Sequence, residues 1–310
     1  MTDATRLRIG TRGSPLALFQ ARLAAEKLAA ARPALAAPGA LEVTPIRTTG
    51  DKVLDRPLAE IGGKGLFSKE IDEALKSRRV DLAVHSVKDM ETRLADGIVL
   101  AAVLEREDPR DVFVSARAAT LAALPRGGVV GSSSLRRRAQ LLNRRPDLRV
   151  VAMRGNVETR LRKLDEGALD AILLALAGLK RLGLAGRATE ILSVDAMLPA
   201  VGQGAIGVAC RADDRATREL VAALDHAPTA ACVAAERAML AVLDGSCRTP
   251  IGGLAEIDGT GSLSLKGLVA RPDGSGLLRT SRQGAASDAE AIGRDAGLEL
   301  LRRAGPGYFA

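Results

Sequence analysis

The chain has 310 residues, 47% of them hydrophobic and 26% charged, which suffices for two or three globular domains and a substantial core. No apolar run reaches membrane-spanning length and the first residues form no hydrophobic secretory segment, so a cytoplasmic protein with no membrane partner is expected. A net charge of +8 attracts anions, but aromatics at 2% with no Trp argue against a binder that stacks nucleic-acid bases, and a small polyanion is the better expected partner.

Cys210, Cys232 and Cys247 are few and odd in number, which argues against a disulfide framework. Two histidines and no C-x-x-C pair leave little from which to build a metal site, and none is expected. Residues 6–10 read as a strand and 16–31 as a long helix. Ser14 is a good N-cap and Pro15 a good first helical residue, so Arg12 falls between a strand end and a helix start, where anions bind readily, although by position alone an Arg that merely decorates the turn is the plainer reading. Residues 41–46 read as a second strand. The segment 47–64 is polar and glycine-rich, reads as a loop over a cleft, and lacks the spacing of a nucleotide P-loop. Residues 66–76 are helical, with Phe67, Ile71 and Leu75 on one face.

Residues 80–84 form a short apolar run that reads as a buried strand, and His85, Ser86, Lys88 and Asp89 stand where it should end. Ligands of open α/β sheets sit beyond the carboxyl ends of the strands, and a carboxylate beside a lysine there can move a proton at a reacting centre. The plainer alternative is a solvated loop pair, since surface ion pairs are common. Residues 98–104 read as another buried strand.

At this point Arg12-Gly13-Ser14-Pro15, Thr48-Thr49-Gly50-Asp51, Gly63-Lys64-Gly65-Leu66-Phe67 and His85-Ser86-Val87-Lys88-Asp89 resemble the porphobilinogen deaminase family. Glu91 stands where that family often has proline, and Phe19 where it often has Trp.

Residues 105–110 are charged, contain Pro109 and read as a hinge, after which 111–115 and 129–131 read as strands of a new sheet. Ser132, Ser133 and Ser134 then cap a helix whose first turn holds Arg136, Arg137 and Arg138, the reverse of what the helix dipole prefers. Either the arginines fall there by chance in an Arg-rich chain, or serine hydroxyls, backbone N–H groups and guanidinium forks converge on carboxylates. Arg154 and Arg160 repeat the theme after a strand at 149–152. Arg181 follows a strand at 170–174, at the end of a helix, where it also suits the dipole. Gly202-Gln203-Gly204-Ala205-Ile206-Gly207 fits G-x-G-x-x-G but precedes a strand instead of following one, which rejects a dinucleotide site. Residues 214–225 and 229–243 are helical, Cys210 and Cys232 read as buried packing residues, and Cys247 sits in a turn-rich loop beside Arg248. Alternation at 262–269 and 276–281 and a helix near 287–304 suggest a small antiparallel sheet backed by helices.

Gly131 to Gln140, Arg154-Gly155-Asn156-Val157, the run from Ala177 to Leu182 and that from Leu198 to Gly204 extend the resemblance over nearly the whole chain. It implies two doubly wound α/β domains, hinged like periplasmic binding proteins around a cleft, plus a small α+β third domain: 1–105 with 200–220, 106–199, and 221–310. It implies a monomeric hydroxymethylbilane synthase, a transferase of tetrapyrrole and heme biosynthesis. Such an enzyme joins four porphobilinogen molecules head to tail on a covalent dipyrromethane primer and releases ammonia. By the same resemblance Asp89 is the catalytic acid and base and Cys247 anchors the cofactor through a thioether. Arg12, Arg136, Arg137, Arg154, Arg160 and Arg181, supported by Lys64, Ser86, Lys88, Ser132 and Ser134, then hold the carboxylates of cofactor and growing oligopyrrole. A non-catalytic organic-anion binding protein on the same hinged fold is the first rival reading, and a protein that holds duplex nucleic acid by its backbone alone is the weaker second. The first would need neither Asp89 nor a reactive Cys247.

Overall fold

The computed structural model describes residues 6–52, 68–245 and 249–308. In chain order the elements are β1 (Leu7–Arg12), α1 (Pro15–Ala31), β2 (Leu41–Ile46), α2 (Thr49–Lys52), α3 (Lys69–Lys76), β3 (Leu82–Ser86), β4 (Ile98–Val103), β5 (Asp111–Val114), β6 (Val129–Gly131), α4 (Leu135–Arg144), β7 (Arg149–Val151), α5 (Val157–Asp165), β8 (Ala171–Ala175) and α6 (Leu176–Arg181). They continue with β9 (Glu190–Ile191), β10 (Ile206–Arg211), α7 (Arg215–Val221), α8 (Ala227–Val242), β11 (Ile251–Ile257), β12 (Ser262–Ala270), β13 (Leu277–Ala285) and α9 (Ala289–Ala304).

The described residues divide into two compact units, one of 6–52, 68–106 and 205–230, the other of 107–204, 231–245 and 249–308. The first holds a five-stranded sheet ordered β2-β1-β3-β10-β4. β1 runs parallel to β2 and β3, while β10 runs antiparallel to β3 and β4. Ile9, Leu82, Val84 and Val208 from the sheet bury against Ala21, Ala24 and Leu28 of α1. Those three residues recur at helical spacing, which is why this stretch forms an amphipathic helix and not a strand.

The second unit repeats the plan, with order β7-β6-β8-β5-β9, β6 parallel to β7 and β8, and β5 antiparallel to its neighbours. It also contains the antiparallel sheet β11-β12-β13, whose Leu263, Leu265 and Val269 pack with Met239 of α8 and Ala296 and Leu300 of α9. A smaller apolar cluster joins Ala139 of α4 and Leu198 to Leu254 and Leu268 of this sheet.

Most expected elements appear, with shifted bounds. β3 starts and ends two residues later than the apolar run at 80–84 suggests, because Val80 is buried before the ladder begins and His85 pairs with Gly207 inside it. The stretch read as a loop from 47 carries the single helical turn α2. β9 and β11 had no expectation. β11 carries Gly252 and Gly253, which weaken any strand pattern.

Candidate active site

In each α/β sheet the earliest of three parallel strands lies between the other two, β1 between β2 and β3 and β6 between β7 and β8, and ligands of open α/β sheets sit beyond the carboxyl ends at such a switch point. In the first unit this joins the end of β1 to the end of β3. Thr11 is buried there, its hydroxyl donating to the carbonyls of Ala17 and Val84 at 3.3 Å each, which ties β1, α1 and β3 together. Pro15 opens α1 at its first position, and the Ser14 hydroxyl accepts the Ala17 N–H at 3.3 Å.

Beyond β3 the chain makes one 3-10 turn, Val87–Asp89. Val87 is buried and anchors it through its N–H to the Ala205 carbonyl at 3.0 Å. The turn leaves Asp89 exposed and Lys88 half-buried, while Ser86 lies 2.9 Å from the Gln20 amide of α1. His85, expected past the strand, is instead inside it and buried. Burial pushes its pKa down to about 4, with the Asp89 carboxylate opposing the shift and Arg12 reinforcing it. The first unit thus gathers Arg12, Ser86, Lys88 and Asp89 at one pair of strand ends. Lys64 lies outside the described residues.

In the second unit the equivalent strand end, after β6, carries Ser132, Ser133 and Ser134. Ser134 caps α4, accepting the Arg137 N–H at 3.4 Å, and the Ser132 hydroxyl accepts the Ser134 N–H at 3.3 Å. Arg136 and Arg137 are buried and both meet Asp111, the first residue of β5, at 2.7 Å. Burial alone would raise the Asp111 carboxyl, but the two guanidinium charges outweigh it and hold it well below the usual carboxylate range. Arg160 donates to the Gly155 carbonyl at 2.8 Å, in a loop where Gly155 takes φ +120°, and Arg154 is half-buried two residues before the cap of α5. Arg181 donates to the Gly204 carbonyl at 2.6 Å. Burial lowers its pKa to about 10 against the pull of Glu107. Ser132, Ser134, Arg136, Arg137, Arg154, Arg160 and Arg181 therefore all belong to this unit. Cys247 lies outside the described residues.

Asp111 and Gln20 carry no site assignment in the sequence, and Gln203 stands out there only inside the rejected glycine motif and the run from Leu198 to Gly204. An acidic residue opening an otherwise apolar strand, directly after a hinge, is the signal that marks Asp111. Gln20 carries no signal outside the fold.

Residues 7–219 match the family model "Porphobilinogen deaminase, dipyromethane cofactor binding domain", and 230–302 match "Porphobilinogen deaminase, C-terminal domain". The chain belongs to the porphobilinogen deaminase family. It is 56% identical to the chloroplastic porphobilinogen deaminase of Oryza sativa subsp. japonica, across 98% of this chain and 85% of that protein. It is 55% identical to the porphobilinogen deaminase of Paracoccus denitrificans, across 98% of this chain and 96% of that protein. A periplasmic substrate-binding protein of an ABC transporter from Coxiella burnetii matches 74% of this chain and 96% of its own at 18% identity and TM-score 0.44. Membership in a deaminase family favours the enzyme over the anion-binding rival.

The donor set suits the dipyrromethane cofactor of the porphobilinogen deaminases. Arg136 Nε is buried with no hydrogen-bond partner among the described residues, which leaves a donor for an acceptor such as a carboxylate. No helix among the described residues is long and apolar enough to cross a membrane, and no group of three or more His, Cys, Asp or Glu among them could hold a metal ion.

Proposed function

We propose that this chain is a hydroxymethylbilane synthase that joins four porphobilinogen molecules in line and releases ammonia at each addition. The observation that carries the reading is Asp89: an exposed carboxylate on a turn just past a parallel strand, in a chain matched by both family models. When bound, the dipyrromethane supplies the ring end to which the first substrate ring is joined.

Asp89 holds a substrate pyrrole N–H, gives a proton to the departing amine, and offers its negative charge to the cation left behind. It then accepts the proton from the ring carbon that has been attacked. Arg12, Arg136, Arg137, Arg154, Arg160 and Arg181 take acetate and propionate groups, for which the planar guanidinium fork suits better than an ammonium. Lys64, Ser86, Lys88, Ser132 and Ser134 add hydrogen bonds. Cys247 anchors the cofactor and takes no part in each addition. The partition into 1–105 with 200–220, 106–199 and 221–310 is supported by the three separate sheets and by the gap between the two matched models. A cytoplasmic monomer whose partners are porphobilinogen and the growing oligopyrrole, and not nucleic acid or membrane, fits the low aromatic content and the buried thiols of Cys210 and Cys232.

The test is the intact mass of the denatured protein beside Cys247→Ala, each before and after incubation with porphobilinogen. An excess of two linked pyrrole units in the parent, absent from the variant, is expected. A parent that stays at its bare mass after incubation would return the anion-binding protein to first place.

A further inference from the structure

Arg136 and Arg137 are neighbours of like charge, both buried, at a helix start that repels cations. Something must hold them, and one carboxylate does. Asp111 is fully buried: its Oδ2 accepts from Arg136 Nη1 at 2.7 Å, and its Oδ1 from Arg137 Nη2 at 2.7 Å and Nε at 3.2 Å. Two guanidinium charges against one carboxylate leave the cluster one positive charge in surplus, which matches a single ligand carboxylate.

Asp111 is itself held. Gln203 Nε2 donates to Asp111 Oδ1 at 2.8 Å and to the Pro109 carbonyl at 2.6 Å. Gln203 is flanked by Gly202 and Gly204 at φ +70° and +89°, a left-handed backbone that glycine adopts without strain. The Gly202 N–H is gripped by the buried carboxylate of Glu236 on α8 at 2.6 Å. The Gly202-Gln203-Gly204 segment, which fails as a dinucleotide site, serves as a bracket that aims an amide at Asp111. On the far side Arg136 Nη1 reaches the Leu198 carbonyl at 2.7 Å, and Gln140 accepts the Leu198 N–H at 2.8 Å.

We propose that Asp111, steadied by Gln203, is the positioning residue for the Arg136–Arg137 pair: it fixes the planes of both forks and sets their net charge to receive one ligand carboxylate. The proposal rests on the reading that this pair binds ligand carboxylates. Asp111 has no exposed surface, so its part is to hold the two guanidinium groups.

The experiment compares holoenzymes carrying Asp111→Asn, Gln203→Met, Arg137→Lys and the double change Asp111→Asn/Arg137→Lys. The readouts are intact mass, thermal midpoint, and KM and kcat for porphobilinogen. Misaimed forks should raise KM about ten-fold in Asp111→Asn, with kcat within about three-fold of the parent, and Gln203→Met should move KM the same way by less. The double variant should be no worse than the poorer single one, because both changes act through the same pair. A lowered thermal midpoint with KM at the parent value would make Asp111 merely structural and overturn the proposal. If Asp111→Asn does not fold, Gln203→Met decides, and an unchanged KM there overturns it. A folded Asp111→Asn chain without cofactor mass supports it when Arg137→Lys shows the same defect, and overturns it when Arg137→Lys loads normally. If Arg137→Lys leaves loading and KM untouched, the carboxylate-binding reading fails instead, whatever Asp111 does.

Discussion

His85 and Asp89 lie four residues apart and face opposite surroundings, His85 buried within β3 and Asp89 exposed on the turn after it. With its pKa near 4, His85 is neutral at physiological pH and gives the site no second proton donor. Below the ordinary histidine value the unfolded chain takes up a proton that the folded chain refuses. Its contribution is therefore complete above about pH 6.5 and is lost as pH falls towards 4, a total of about 3 kcal/mol. Asp72 slopes the other way, since burial raises its carboxyl to about 6 and the folded chain then binds the extra proton. Comparing the parent with His85→Gln isolates the histidine: the variant should lose less stability between pH 7 and pH 5, read as urea midpoints, and equal losses would remove His85 from the linkage. Asp89→Ala should fold and acquire the cofactor mass yet turn over roughly 10²–10⁴-fold more slowly, the usual range for a lost general acid–base. A near-parent kcat would take Asp89 out of its proposed role. Asp89 was legible in the sequence through its place after an apolar run, whereas the inward turn of His85 was not, because a fully buried run does not reveal which residue ends its ladder.

At the scale of elements, the third sheet depends on how closely α8 and α9 approach. A Cβ on Gly293 would stand 2.0 Å from the Ala235 carbonyl oxygen, and one on Gly297 would stand 2.8 Å from Val242 Cβ. On an open helix, replacing glycine by alanine gains about 0.5–1 kcal/mol. Here overpacking costs about 1–3 kcal/mol and the backbone oxygen cannot swing aside, so the cost wins. Gly293→Ala should lower the thermal midpoint, and a midpoint equal to or above the parent's would show that the two helices part freely. The helix at residues 289–304 was readable from its apolar spacing, but these glycines look like defects in that pattern. Only the neighbouring helix gives them a reason. The N-caps of α1 and α4 were legible, since Ser14 and Ser134 act on backbone N–H groups within their own next turn, whereas the cap Asn156 makes on α5 emerged only with the structure.

Across the whole molecule, the surplus of eight positive charges is a long-range property that the acidic substrate should sense. Raising sodium chloride from about 0.02 to 0.5 M shortens the screening length several-fold, so kcat/KM for porphobilinogen should fall while kcat stays nearly level. A kcat/KM independent of salt would confine the attraction to short-range contacts. Charge, capping, helix spacing and the motifs around Asp89 and Arg136 are properties of residues near one another in the chain, and the sequence alone determined them. It could not determine that β10 enters the first sheet between β3 and β4, antiparallel to both, because that pairing joins segments a hundred residues apart. Nor could it show that Arg136 and Arg137 rest on Asp111, and Asp111 on Gln203. A buried charge must find its partner wherever the fold brings one within reach, and that choice is made in three dimensions.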